Sequence, residues 1–462
     1  MGALVNKDEL QESFADLRGE LITRGDAQYD NLCKVYNGMI HKRPTMIVRC
    51  KDVNDVTSTV RFARDHDYLL AIRGGGHNAG GLGVCDDGVV LDLSLMKNVQ
   101  VNTNTKTVVV EGGCTWGEVD KATHEFGLAT TSGIISTTGV GGLTLGGGLG
   151  HLARKYGLTI DNLLSADMVL ADGSFVTVNE RDHPDLFWAI RGGGGNFGVI
   201  TSFTFQLHPV KNVICGPTLW LLEDAKKVMQ WYRDFITHAP EDLNGFFAFL
   251  TVPPGPPFPE PLHLKKMCGI VWCYTGPKEN ATNIFKPIQE LDPAPAFYGV
   301  HEAPYPALQS AFDGLYPPGL QWYWKADFVT ELSDEAIDLH IHYAQQLPTM
   351  HSTMHLYPIN GAVHDIGKRD TAFSFREANW AGVTVGVDPD PANNPKMINW
   401  ARDYWEALHP YSSGGAYINF MMEEGNQRIQ ETYRDNYSRL VEIKKRYDPR
   451  NLFRVNQNIN PN

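Results

Sequence analysis

Residues 73–81 read Arg73-Gly74-Gly75-Gly76-His77-Asn78-Ala79-Gly80-Gly81 and close an apolar run, Tyr68 to Ile72, that has the length and content of a buried strand. Glycine lacks Cβ and tolerates positive φ. A glycine-dense turn after a strand therefore lets backbone N–H groups come within hydrogen-bonding distance of a large anionic ligand such as a diphosphate. His77 is then the one reactive side chain at that turn. Taken alone, such a cluster reads as a tight turn with an incidental histidine.

Two further clusters change that weighting. Gly139-Val140-Gly141-Gly142-Leu143-Thr144-Leu145-Gly146-Gly147-Gly148-Leu149-Gly150 holds seven glycines in twelve residues and runs through His151 to Leu158. Each glycine costs conformational entropy on folding, so close backbone approach to an extended ligand explains the block better than packing does. The third cluster, Arg191-Gly192-Gly193-Gly194-Gly195-Asn196-Phe197-Gly198, feeds an apolar run from Val199 to Leu207. Three glycine loops, each beside a strand, call for a ligand long enough to touch three parts of one domain. None has the spacing of a dinucleotide fingerprint with its acidic residue about twenty positions on, and no Gly-Lys-Ser/Thr of a P-loop is present.

Around these loops the chain alternates strands and helices. Leu10, Phe14, Leu17 and Leu21 recur at helical spacing up to Gly25. Met46 to Arg49, Val53 to Arg64 and Tyr68 to Ile72 form a β-α-β unit whose second strand delivers the opening loop. Strands follow at 89–93, 99–101 and 107–110, then a helix that starts on a capping box, Thr115 with Glu118. Met168 to Leu170 and Phe175 to Val178 are joined at Asp172-Gly173, a favoured hairpin turn, and Pro184 opens a helix through Ile190.

Length, 462 residues with 42% hydrophobic content, allows about two or three domains with sizeable cores. A net charge of −13 without clustered Lys and Arg argues against nucleic acid and for a small-molecule ligand. Seven cysteines, widely spread with no C-x-x-C pair, read as reduced thiols, and no metal site is expected. No apolar run reaches membrane-spanning length, and the N-terminus Met1-Gly2-Ala3-Leu4-Val5-Asn6 carries neither a leader pattern nor a myristoylation motif, so the expected location is cytoplasmic with no membrane partner.

The loop with His77, the block from Gly139 to Leu158, the segment Gly192 to Thr201, and the tail Tyr447-Asp448-Pro449-Arg450-Asn451-Leu452-Phe453-Arg454-Val455-Asn456-Gln457-Asn458-Ile459 together resemble the berberine-bridge-enzyme-like FAD oxidases. These belong to the wider vanillyl-alcohol-oxidase and p-cresol-methylhydroxylase (PCMH) superfamily. The resemblance implies an α+β fold of three parts. Residues 1–211 would be a two-part PCMH-type FAD-binding domain, with its core at about 40–211. Residues 212–410 would be a substrate-binding domain, an antiparallel sheet with helices on one face, and 411–462 a C-terminal segment returning to the FAD domain. It also implies FAD contacts from Arg73, Gly74, Gly75, Gly76, His77, Asn78 and Gly80, and from Thr137, Thr138, Gly139, Gly141, Gly142, Gly147, Gly150 and His151. Asn196, Gly198, Val199 and Asn456 complete the implied set. Arg73 has a second reading, as a structural ion-pair partner.

His77 matches the histidine that such enzymes bond covalently to the flavin; the alternative is a free histidine beside a non-covalent cofactor. Many relatives carry a second link through a cysteine, where this chain has Ile135, so one covalent bond is expected. Thr138 falls at a position thought to influence oxygen access, which leaves the electron acceptor open.

Beyond Val213 the glycine loops give way to aromatics and prolines, including Pro253-Pro254-Gly255-Pro256-Pro257-Phe258-Pro259, a breaker loop. Segments 265–274, 320–329, 352–357, 371–375 and 381–387 read as antiparallel strands, with helices around 223–237, 333–346 and 394–407. Gly415 to Phe420 reads as a strand passing the flavin, followed by one helix from Asn426 to Arg446. On that strand Tyr417 is the first candidate for taking or relaying the substrate proton, with packing on the ring or positioning of substrate as the alternative, and Asn419 could orient substrate. His340, His342, His351 and His355 read as satisfied or surface histidines rather than metal ligands. The expected activity is hydride removal from a C–OH or C–NH carbon of a small organic molecule, with oxygen as acceptor and peroxide as product. A dehydrogenase with another acceptor and an oxidative cyclase are the alternatives within the fold. A flavin-bearing non-redox cyclase or binding protein is the alternative outside it. Sugar, secondary amine, alcohol and polyketide substrates all stay open.

Overall fold

Asp52 begins the architecture around the first glycine loop: its carboxylate accepts the N–H groups of Asn54 and Asp55 and so caps a thirteen-residue helix, α1 (Val53–Asp65). The helix joins β2 (Met46–Arg49) to β3 (Leu70–Arg73), and β4 (Val89–Asp92) pairs in parallel with both. Strand β1 (Glu20–Thr23) adds antiparallel to β2, which gives the order β1-β2-β4-β3. A computed structural model describes residue 10 and residues 12–462, so the reading of the N-terminus as leaderless lies outside the described residues. The helix expected from Leu10 does not reach Leu21, which stands in β1 and pairs with Val48. Pairing with a core strand outweighs the helical spacing there.

A second, antiparallel sheet is built from β5 (Val99–Asn102), β6 (Thr107–Glu111), β7 (Leu163–Val169), β8 (Phe175–Val178) and β9 (Val199–Gln206), in the order β5-β6-β9-β7-β8. Between its strands run α2 (Trp116–His124), whose Thr115–Glu118 capping box is formed, and α3 (Val140–Leu145). Helix α3 lies inside the second glycine block, where sequence alone suggested only a loop. Helix α4 (Pro184–Ile190) follows with Pro184 in its first turn.

The third sheet has eight strands. Its centre is β10 (Asn212–Leu221), β11 (Leu243–Thr251), β12 (Lys266–Tyr274), β13 (Gln321–Val329), β14 (Thr353–Pro358) and β15 (Trp380–Asp388), ordered β10-β12-β11-β14-β15-β13. Strands β10 and β11 were not foreseen. Their residues are apolar on both faces, so the alternation that marks a half-buried strand is missing. One face, carrying Phe247, Phe249, Met354, Leu356 and Trp380, buries against α5 (Ala225–His238), α6 (Asp334–Gln345) and α7 (Asn394–Leu408). The opposite face carries Trp322 and Trp324 on β13, His355 and Tyr357 on β14, and Val383 and Val385 on β15, and it turns toward the glycine loops.

Three expectations fail after residue 370. Thr371 to Phe375 is not a strand, because Ala372 and Phe373 give their N–H groups to the carbonyls of Trp188 and Arg191 at the end of α4. Gly415 to Phe420 is also irregular, ending in a single tight turn at Ile418–Phe420. The helix expected over 426–446 is two, α8 (Asn426–Tyr433) and α9 (Tyr437–Tyr447). The break falls at Arg434, which has φ 47°. Asn436 then gives its amide to the carbonyls of Lys368, Thr371 and Ala372.

Candidate active site

The loop after β3 and the turn before α3 cross backbone against backbone. A Cβ on Gly75 would stand 2.4 Å from the Gly139 nitrogen, and one on Gly139 would stand 2.3 Å from the Gly75 nitrogen. Only glycine allows that crossing. It fixes the position of His77, whose Nε2 lies 3.0 Å from Thr137 Oγ1 and whose Nδ1 lies 3.4 Å from Thr138 Oγ1. The ring stacks on Tyr36 at 3.9 Å between centroids. Burial holds His77 well below the ordinary histidine range, at about 4, so the imidazole is neutral at neutral pH.

From His77 a cavity of about 320 Å³ opens between the glycine loops and the third sheet. Its loop side is lined by Arg73 to Asn78, by Thr138, Gly139, Gly141 and Gly142, by Gly194 to Asn196 with Gly198, and by Phe453 to Gln457 of the tail except Arg454. Hypothetical Cβ atoms on Gly142 and Gly195 would meet nothing within 4 Å, so at these two positions backbone faces open space. Gly80, Thr137, Gly147, Gly150, His151 and Val199 do not line the cavity. Gly150 presses on the Ser132 carbonyl, where a Cβ would come to 1.8 Å, and Val199 is buried in strand β9. His151 is buried near Phe246, with ring centroids 6.1 Å apart.

The tail reaches the loops through a buried anchor. Lys444 on α9 has no exposed side-chain surface and gives its ammonium to Asp448, to the Phe453 carbonyl and to the Asn196 carbonyl, all within 2.9 Å. Asn196 returns bonds to the Gln457 carbonyl and from the Ile459 N–H. Asn456 donates to the Gly195 carbonyl, while its own Oδ1 is buried without a partner. Arg73 sits on the wall and is also an ion-pair partner: its Nε is 3.0 Å from Asp92 on β4, and it donates to the Leu32 carbonyl.

Tyr417 and Asn419 both line the cavity. The Tyr417 hydroxyl oxygen accepts the Gly148 N–H at 2.9 Å and the Asn419 amide at 2.7 Å. These donors favour a phenolate, yet burial dominates and pushes the phenol up to about 12.

Sequence reasoning missed the rings on the sheet side. Tyr36, Trp322, Trp324 and Phe420 follow one another at centroid separations of 5.4, 5.8 and 5.7 Å, and Phe420 lies 4.8 Å from Tyr417. Phe420 also lies 5.7 Å from Tyr357, whose hydroxyl is 2.6 Å from His355 Nδ1. The available signal was period two: Trp322-x-Trp324 and His355-x-Tyr357 each place both side chains on one strand face.

Residues 44–179 match a family described as FAD binding domain, and residues 416–460 match one described as berberine and berberine like. Over 457 residues the chain is 33% identical to an FAD-linked oxidoreductase of Dictyostelium discoideum, covering 98% of this chain and 97% of that protein. The (R)-6-hydroxynicotine oxidase of Paenarthrobacter nicotinovorans is 38% identical over 205 residues, which are 44% of this chain and 45% of that one. In fold, the crystal structure of 6-hydroxy-D-nicotine oxidase from Arthrobacter nicotinovorans superposes with a TM-score of 0.86 at 24% identity, over 96% of this chain and 98% of the other.

Proposed function

Because the chain belongs to the berberine-bridge-enzyme-like family of FAD-linked oxidoreductases, we propose that it is an oxidase. It would remove hydride from a carbon bearing an OH or NH group of a small organic substrate, with oxygen as acceptor and hydrogen peroxide as product. One observation carries this reading: a single cavity has backbone glycines and His77 on one side and the Tyr417–Asn419 pair on another.

The residues present fit FAD. Gly142 and Gly195 expose backbone to open space, and Asn456, which donates to the Gly195 carbonyl, keeps an unpartnered buried Oδ1. When bound, FAD supplies the two-electron acceptor for the hydride. Arg73, Gly74, Gly75, Gly76, Asn78, Thr138, Gly139, Gly141, Gly142, Asn196, Gly198 and Asn456 would hold it. Gly80, Thr137, Gly147, Gly150, His151 and Val199 would shape those loops from behind. His77 would be the single covalent tether, since Ile135 on the same wall has no thiol. In this assignment residues 1–211 and 411–462 hold the cofactor, and residues 212–410 roof the substrate.

Tyr417 is the proposed proton acceptor. Its oxygen has two donors aimed at it, from Gly148 and Asn419, which offset the charge of the ionised phenol that takes the substrate proton. Asn419 is itself held by the Leu143 carbonyl at the end of α3, so its amide orientation is fixed. Water exclusion falls to the ring wall of Trp322, Trp324 and Phe420.

The experiment is an anaerobic titration of the holoprotein with sugar, amine, alcohol and polyketide substrates, followed by air. Bleaching of the flavin and stoichiometric peroxide on reoxidation are expected. Failure of every class to bleach it sinks the oxidoreduction proposal, and bleached flavin that air does not restore makes the enzyme a dehydrogenase. After acid denaturation the flavin should remain on the peptide containing His77; release of all of it removes the covalent tether.

A further inference from the structure

The chemistry of the sheet-side wall narrows what the cavity takes. Among the described residues no aspartate, glutamate, lysine or arginine lines the sheet side, and Arg73, across the cavity on the loop side, is already satisfied by Asp92 and the Leu32 carbonyl. A carboxylate held against that sheet wall, away from the backbone N–H groups of the glycine loops, would be buried without a counter-ion, at a cost on the order of several kcal/mol. The wall is ring and methyl, made by Phe312, Tyr316, Trp322, Trp324 and Phe420 together with Val383 and Val385. Thr353 adds little polarity, because its hydroxyl already donates to the Phe249 carbonyl. A molecule with many hydroxyls would leave most of them unpaired.

One polar pair interrupts this apolar surface. His355 and Tyr357 stand two residues apart on β14, both on the cavity face, joined at 2.6 Å through His355 Nδ1. His355 Nε2 makes no hydrogen bond to any described residue. Burial keeps His355 neutral, down to about 3, and pushes the Tyr357 phenol far up. A neutral imidazole paired with a phenol presents one donor and one acceptor in either tautomer, so it can meet a hydroxyl or a carbonyl equally. Two further donors, the indole N–H groups of Trp322 and Trp324, are buried without partners.

We propose that the substrate side of the cavity takes a compact, uncharged aromatic molecule, whose hydroxyl or carbonyl group is received by the His355–Tyr357 pair. Charged acids and oligosaccharides are excluded by the same wall. This deepens the oxidase reading and rests on it for the word substrate. Its test needs no turnover, so either can fail without the other.

The test is equilibrium binding to the holoprotein, followed by the flavin difference spectrum and by tryptophan quenching, with naphthol, naphthalene, naphthoate and cellobiose as probes. Naphthol should bind saturably, naphthoate about tenfold or more weakly, and cellobiose should not bind. Tyr357→Phe, which keeps the ring, and His355→Leu should each weaken naphthol by about three- to tenfold and leave naphthalene unchanged. The proposal is overturned if naphthol fails to bind, or if naphthoate or cellobiose binds as tightly. It is overturned equally if the two variants move naphthalene as much as naphthol, or move neither.

Discussion

At the residue scale, the glycines divide into those that touch protein and those that touch nothing. Gly139→Ala would drive a methyl group into the Gly75 nitrogen, at 2.3 Å, and should part the two loops. The expected result is loss of bound flavin together with a lower melting temperature. Gly195→Ala meets open space, so melting should hold while the flavin-to-protein absorbance ratio falls, since the added methyl occupies the cavity. Equal behaviour of the two variants would mean that the cavity at Gly195 is not where the cofactor lies. Tyr417 gives a second residue-level prediction. With its phenol pushed up to about 12, the fraction ionised grows about tenfold per pH unit below that value. If phenolate accepts the substrate proton, flavin reduction measured by stopped flow should rise along that slope between about pH 7 and about pH 9. Tyr417→Phe should flatten it. A flat profile in the parent enzyme would leave Tyr417 as a positioning group.

At the element scale, α9 holds the tail against the third glycine loop through one buried ammonium. Lys444→Ala leaves Asp448 charged and unpaired in a site with no exposed surface, a loss of about 3–5 kcal/mol. A drop in melting temperature with release of the tail to proteolysis is expected; an unchanged melt would show that the anchor is redundant. This scale is also where legibility in the sequence ran out. Helices announced by side chains that act within one turn were readable: the Thr115–Glu118 box of α2 and Pro184 opening α4. Strands with both faces buried were not, and β10 and β11 lack the alternation that would mark them. The segment 371–375 is apolar like a strand, but its N–H groups are claimed by carbonyls of Trp188 and Arg191, far back in the chain. His355 read as a satisfied or surface histidine. Only its Nδ1 is satisfied, by Tyr357, and the register of β14 puts the pair on the cavity wall; register is set by β11 and β15 rather than by the strand itself.

At the scale of the whole molecule, buried titratable groups set the response to acid. His151, His340 and His355 are each held down to about 3 by burial, whereas the unfolded chain takes up protons at about 6.5. Between these values the unfolded state binds more protons, so stability falls as pH falls. Asp120 works in the opposite sense: burial pushes its carboxyl up to about 7, so the folded state binds the extra proton and gains stability on acidification. With His77 and His208, which are held down to about 4, these histidines outweigh the one carboxyl and leave a net loss on the order of several kcal/mol between about pH 6.5 and about pH 5. Thermal melts across that window should shift downward, and Asp120→Asn should steepen the shift; a melt independent of pH would contradict the burial of the histidines.

The anchor at Lys444 has one more consequence, for the order in which the protein is made. The bonds that complete the loop side join Asn196 to Gln457, Gly195 to Asn456 and Asn196 to Lys444, partners separated by 261, 261 and 248 positions. A ribosome adding about 5–20 residues per second delivers the glycine loops many seconds before their closing strap. On the proposed cofactor assignment, the nascent chain waits with those loops open at one side, and flavin loading is tied to completion of synthesis. Chains halted before Phe453 should emerge without retained flavin even when all three glycine loops are intact, which pulse-labelled truncations can read directly.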